Sequence, residues 1–218
     1  MTVFSLFLTT VAPLKQPELE AEVLFVIDSS YEVDQGDYKR QKEFIKSLLR
    51  GLDMSTESSR AALITYGDHS SIVSRFIGLQ SLDDFDKSVD NASYIGGDRR
   101  IDNALKVVAR LLNEAEAASS KLVIFLTGGK QSSSGDSLND TGEPLRQSGA
   151  KTFVIAIGKQ PDVQQLRPLV TSPNDVLTVI TFKDLNSQTS RIASHVREKA
   201  GKGRNNVFFS GFDLESDL

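Results

Sequence analysis

From residue 22 onward the chain alternates two kinds of apolar pattern. Val23–Ile27 (VLFVI), Leu122–Leu126 (LVIFL) and Thr152–Ile157 (TFVIAI) are nearly unbroken apolar runs. A strand reads this way when both of its faces are buried, so these three are expected in the middle of a parallel sheet. Ala62–Tyr66 (ALITY) and Val176–Phe182 (VLTVITF) read as flanking strands, and Ser71–Ile77 (SIVSRFI), with Arg75 inside it, has the mixed character of an edge strand. The short spacing from Tyr66 to Ser71 fits a hairpin, which makes that edge pair antiparallel. Between the strands, Tyr38, Phe44, Ile45, Leu48, Leu49 and Leu52 recur at helical spacing, as do Ile101, Ala104, Leu105, Val108, Leu111 and Leu112. Shorter helices are expected at Leu82–Val89 and Val163–Val170, and a last one at Asn186–Ala200 turns Ile192 and Val196 inward and stops at Gly201. The alternation predicts an α/β fold: a doubly wound, mostly parallel sheet with helices on both faces.

In such sheets ligands sit outside the carboxyl ends of the central strands. The first strand runs into Asp28-Ser29-Ser30-Tyr31-Glu32, and the fourth into Thr127-Gly128-Gly129. The loop ahead of the 101–112 helix is Tyr94-Ile95-Gly96-Gly97-Asp98-Arg99-Arg100. The ordered set FVIDSS (25–30), YIGGDRRIDNAL (94–105), IFLTGG (124–129) and FVIAIGK (153–159), followed by Leu166 and 176–185, resembles the von Willebrand factor type A family. The glycine-rich middle loop is most similar to that of its extracellular-matrix and collagen-associated members. The resemblance spans residues 20–201 and implies a Rossmann-like six-stranded sheet with one antiparallel edge strand. It leaves residues 1–19 as a linker or weak signal peptide and 202–218 as a loosely ordered tail.

In that family the three loops form a metal-ion-dependent adhesion site, where an Asp-x-Ser-x-Ser loop, a Thr and a second Asp hold magnesium or manganese and a partner's carboxylate completes the shell. Hard cations need oxygen ligands. Asp28 and Ser30 match this pattern, but Glu32 stands at the usual second Ser, Arg99 at the usual Thr and Gly128 at the second Asp. A guanidinium only donates and repels a divalent cation. The expectation is therefore a degenerate site without metal or other cofactor, in which Arg99 or Arg100 pairs with Asp28 and Glu32. The alternative is that both arginines point into water and Asp28 caps the following turn. Ser29, Tyr31, Asp98, Arg100 and Lys130 are the expected ligand-facing residues, since loops on a rigid sheet tend to carry function; the alternative is a surface that has drifted after losing its task.

Composition narrows the partners. The net charge of −4 over 218 residues speaks against nucleic acid, which needs a basic face. There are no cysteines, so neither disulfides nor thiol chemistry enter. Met1–Ala12 is apolar but lacks a basic start, and no apolar run approaches the roughly 20 residues of a membrane span. A dinucleotide enzyme needs a glycine-rich turn where this chain has Asp28-Ser29-Ser30; of the only imidazoles for a hydrolase, His69 falls beside the expected edge hairpin and His195 in the last helix, away from the loops at the carboxyl ends of the central strands. Asn91-Ala92-Ser93 and Asn139-Asp140-Thr141 are sequons for N-glycans. These features speak against an enzyme, and the resemblance implies a secreted adhesion module that binds proteins such as collagens, other matrix components or further type A domains. An intracellular scaffold of the same fold, or a domain with weak cation-dependent binding, are the alternatives.

Overall fold

In the computed structural model of the chain, which describes residues 18–116 and 120–201, strand β1 (Glu22–Asp28) is buried along its whole length. After it come α1 (Gln35–Gly51), β2 (Arg60–Tyr66), β3 (Ser70–Gly78), α2 (Leu82–Asp90), α3 (Ile101–Leu112) and β4 (Lys121–Thr127). The chain continues through α4 (Leu138–Thr141), α5 (Glu143–Gln147), β5 (Lys151–Ile157), α6 (Val163–Leu166), β6 (Val176–Val179) and α7 (Thr189–Gly201). The strands form one six-stranded sheet in the order β3-β2-β1-β4-β5-β6, parallel except for the β2–β3 pair. The three unbroken runs are adjacent in its centre, and the mixed run with Arg75 is the antiparallel edge.

Because side chains alternate across a strand, β1 feeds two cores. Val23, Phe25 and Ile27 join Phe44 and Leu48 of α1, Phe85 of α2 and Ile192 and Val196 of α7 on one face. Leu24 and Val26 join Leu105 and Val108 of α3, Leu145 of α5 and Leu166 of α6 on the other. Full burial of each such side chain is worth about 1.5–3 kcal/mol. The carboxylate of Asp34 caps α1 by accepting from the Asp37 amide at 2.7 Å, and Arg50 lies in its last turn, where the helix dipole favours a cation.

Three element boundaries differ from the sequence pattern. Strand β6 stops at Val179 instead of Phe182, because its neighbour β5 ends at Ile157 and the Gly158 amide closes the ladder on the Val179 carbonyl. Ile180 is left exposed, and Phe182–Asp184 forms a 3-10 turn. The 163–170 helix is α only to Leu166 and tightens into a 3-10 turn at Arg167–Leu169, since Pro168 lacks the amide an α-turn requires. The last helix opens with a 3-10 turn, Asn186–Gln188, before α7. Among the described residues no helix is long and apolar enough to cross a membrane. The apolar start at Met1–Ala12 and the tail beyond residue 201 lie outside the described residues.

Candidate functional site

The order of the sheet places the carboxyl ends of β2, β1 and β4 side by side, and Asp28 ends the middle one. Its backbone is gripped from α1: the Asp28 amide donates to Gln41 Oε1 at 3.0 Å, and Gln41 Nε2 donates to the Asp28 carbonyl at 2.7 Å. Its buried carboxylate joins three segments. Oδ1 accepts from the Ser30 amide at 2.9 Å, while Oδ2 accepts from the Gly128 amide at 2.9 Å and from Arg99 Nε at 2.6 Å. Arg99 arrives through a loop bent by Gly96 and Gly97 at φ of 78° and 76°. A β carbon at Gly97 would lie 2.2 Å from that of Asp68, so only glycine fits there.

The Arg99 side chain is 2% exposed and bridges two acids, reaching Asp28 through Nε and Glu32 Oε2 through Nη1 at 2.5 Å. Nη1 also approaches the Lys130 carbonyl at 3.3 Å. Burial alone would lower the guanidinium's pKa, but the charge of Asp28 and the hydrogen bonds to both acids outweigh it, and the pKa lies above the ordinary arginine value. Two buried polar atoms here, Arg99 Nη2 and Ser30 Oγ, have no hydrogen-bond partner among the described residues.

Arg100 turns the other way. Its Nε and Nη2 meet Asp102 at 3.0 and 2.7 Å, so of the two neighbouring arginines only Arg99 bridges Asp28 and Glu32. Ser29, expected to face a ligand, is buried: its hydroxyl donates to the Tyr66 carbonyl at 2.9 Å and accepts from Thr65 Oγ1 at 3.1 Å, and its amide extends the β1–β2 ladder to the same carbonyl. The other expected contact residues surround the bridge. Tyr31 is 77% exposed, Lys130 and Asp98 are exposed, and Asp98 accepts from the hydroxyls of Ser132 at 3.1 Å and Ser134 at 3.2 Å. The sequon residues Asn91 and Asn139 are both exposed, after α2 and within α4. His195 sits on α7 against Asp175 at 3.0 Å, at the amino end of β6 and not beside these loops.

Several supporting residues escape a motif reading. Gln41 carried a signal, as a polar residue inside the apolar stripe of α1. Tyr66, buried at the end of β2, donates to the Leu126 carbonyl at 3.2 Å, and burial followed by the nearby Asp28 charge pushes its phenol well above the ordinary range. Tyr94 donates to the carbonyls of Ser30 at 3.0 Å and Val33 at 2.8 Å, fixing the first loop from the middle one.

The residues gathered here do not suit a divalent cation. Both oxygens of Asp28 are engaged, and a β carbon at Gly128 would lie 3.2 Å from Arg99 Nη2 and 3.0 Å from Phe182 Cζ, so the guanidinium and an aromatic ring fill the place of a second acidic ligand. Among the described residues no three His, Cys, Asp or Glu side chains come together as a metal cluster.

A doubly wound α/β domain with a loop-built site over its central strand ends is the class that this geometry defines. The von Willebrand factor type A domain model matches residues 22–194, and the chain belongs to that family. Its relatives include matrix proteins. Matrilin-2 of Mus musculus is 26% identical over 182 residues, 78% of this chain and 18% of that protein. The collagen alpha-6(VI) chain of Homo sapiens is 26% identical over 208 residues, 90% of this chain and 9% of that protein. The chain thus spans less than a fifth of the length of either. Among solved structures, proximal thread matrix protein 1 from the mussel byssus superimposes with a TM-score of 0.75 at 20% identity, over 83% of this chain and 49% of that one. Another structure of the mussel protein has zinc in its MIDAS motif.

Proposed function

We propose that this type A domain is a non-enzymatic, extracellular protein-binding module that engages matrix components, collagens or other type A domains without a divalent cation. The observation that carries this reading is Arg99, which lies between Asp28 and Glu32 at 2.6 and 2.5 Å and supplies a fixed positive charge where the family places an ion. A cation that is part of the chain cannot be removed by a chelator, and it ties the first loop to the middle loop in every molecule. The matrix relatives support the class of partner. The working face is the rim of the bridge, where Tyr31, Glu32, Asp98 and Lys130 are exposed.

Surface plasmon resonance of the domain over immobilised collagen and over a second copy of the domain tests this. Equal responses in EDTA and in magnesium or manganese are expected, together with no heat of manganese binding in calorimetry. A response abolished by EDTA would overturn cation independence and leave the family assignment intact.

A further inference from the structure

A groove of about 520 Å³ separates the start of β3 from the segment after α2, with His69, Ser71 and Val73 on one side and Ser88, Asn91 and Ser93 on the other. We propose that Asn91 carries an N-linked glycan whose first sugars lie in this groove and cover the edge strand; the proposal rests on the extracellular reading above. Three observations converge on it. Asn91-Ala92-Ser93 is a sequon, and Asn91 is exposed in the turn that ends α2, its amide donating to the Lys87 carbonyl at 3.0 Å. The groove offers hydroxyls and an imidazole for sugar hydroxyls, and Val73 and Ala92 for the apolar face of the ring. Its size is that of ordinary small-molecule sites.

The third observation is the position of β3. It is the edge strand of the sheet, and its Ser71 and Val73 line the groove together with Thr65 of the paired β2, so a sugar seated there covers the face of the β2–β3 pair. A sugar attached at the rim is held at high effective concentration, so weak contacts suffice to seat it. In the modification, Asn91 Nδ2 forms a bond to C1 of an oligosaccharide. The donor is that oligosaccharide linked through C1 to a lipid pyrophosphate, and a transferase of the secretory pathway acts on it; the C1–O bond to pyrophosphate breaks, and the lipid pyrophosphate and the amide proton leave. Asn139 is the internal comparison, since it lies within α4, where the Thr141 hydroxyl of its sequon donates to the Ser137 carbonyl at 2.9 Å.

The test is peptide mapping of the full chain, secreted from mammalian cells and treated with peptide N-glycosidase in 18O-water, followed by hydrogen exchange of the glycosylated protein against Asn91→Gln and Ser93→Ala. Occupancy at Asn91 and several-fold slower exchange of amides 69–73 in the glycosylated form are expected. Occupancy with unchanged exchange would overturn the seat in the groove. A bare Asn91 beside an occupied Asn139 would overturn the glycan while sparing the extracellular reading. Natively expressed protein bare at both sequons would overturn the glycan. Ser93→Ala keeps Asn91 itself and so separates loss of the sugar from loss of the side chain.

Discussion

The guanidinium of Arg99 occupies the space that a side chain on Gly128 would need, with Nη2 only 3.2 Å from where a β carbon would lie. Two departures from the family's adhesion motif therefore meet in space: a side chain at residue 128 would crowd both the built-in cation and the ring of Phe182. Reverting them together should exchange one cation for the other. In Glu32→Ser/Arg99→Thr/Gly128→Asp, two buried carboxylates face each other with no positive charge, so the variant should melt early in EDTA and be rescued by manganese. Saturation to 100 times Kd gives about 2.7 kcal/mol of such rescue. Thermal melts with and without manganese check this, and an equal upward shift in the unmodified chain would sink the idea.

Single substitutions should rank by burial. Arg99→Met leaves Asp28 fully buried with no counter-charge, and breaking one side of a buried pair costs about 3–5 kcal/mol. Arg99→Lys should fall between, because one ammonium cannot reproduce the fork that meets two acids. Glu32→Gln removes a carboxylate whose side chain is 74% exposed, and such pairs contribute about 0–1 kcal/mol. Urea unfolding of the three variants measures the order. A Glu32→Gln loss as large as that of Arg99→Met would show that the outer contact, not the buried one, holds the loops.

The layer order was legible in the sequence because buried central strands announce themselves as unbroken apolar runs. The site's loops were legible through the family resemblance, which put Arg99 or Arg100 beside Asp28 and Glu32 as one of two readings. Which arginine turns inward was not legible. It depends on the bend at Gly96 and Gly97 and on Asp102, whose carboxylate takes Arg100 out of contention. Ser29 misled for a similar reason: its amide continues the ladder to Tyr66, a pairing set by a strand far away in sequence. The end of β6 likewise belongs to β5.

Acid should weaken the fold partly through Asp102. Burial raises the pKa of this carboxyl, but the Arg100 fork and the Asp136 amide outweigh it, and the net shift is downward from the ordinary 3.8. A depressed folded-state pKa means that the contribution is fully present above the unfolded value and is lost as pH falls below about 4 through the folded one. Asp102→Asn should therefore start less stable at pH 7 and lose less on acidification. The alkaline side has the opposite sign. Burial raises Tyr66 well above 10.0, so its contribution is present below that pH and is lost as the pH climbs beyond it. Tyr66→Phe should flatten that limb, and melting temperature against pH reads both slopes.

The contact surface should be separable from the scaffold. Tyr31 is 77% and Ile180 67% exposed, the large hydrophobic side chains left facing water among the described residues. Both follow the carboxyl ends of parallel strands, Tyr31 after β1 and Ile180 after β6, so they lie on the same rim of the sheet with β4 and β5 between their strands. Exposed aromatics at such positions are frequent binding anchors, and truncating one that is buried in a complex costs about 2 kcal/mol or more of affinity. Truncating it in the free domain should change stability by no more than about 0.5 kcal/mol. Tyr31→Ala is thus expected to weaken binding to immobilised collagen or to a second copy about thirtyfold, the equivalent of 2 kcal/mol, with an unchanged melting temperature. Ser29→Ala should do the reverse, because its hydroxyl serves Tyr66 and Thr65 inside the fold. If Tyr31→Ala binds as well as the unmodified chain, the rim over β1 is not the contact face.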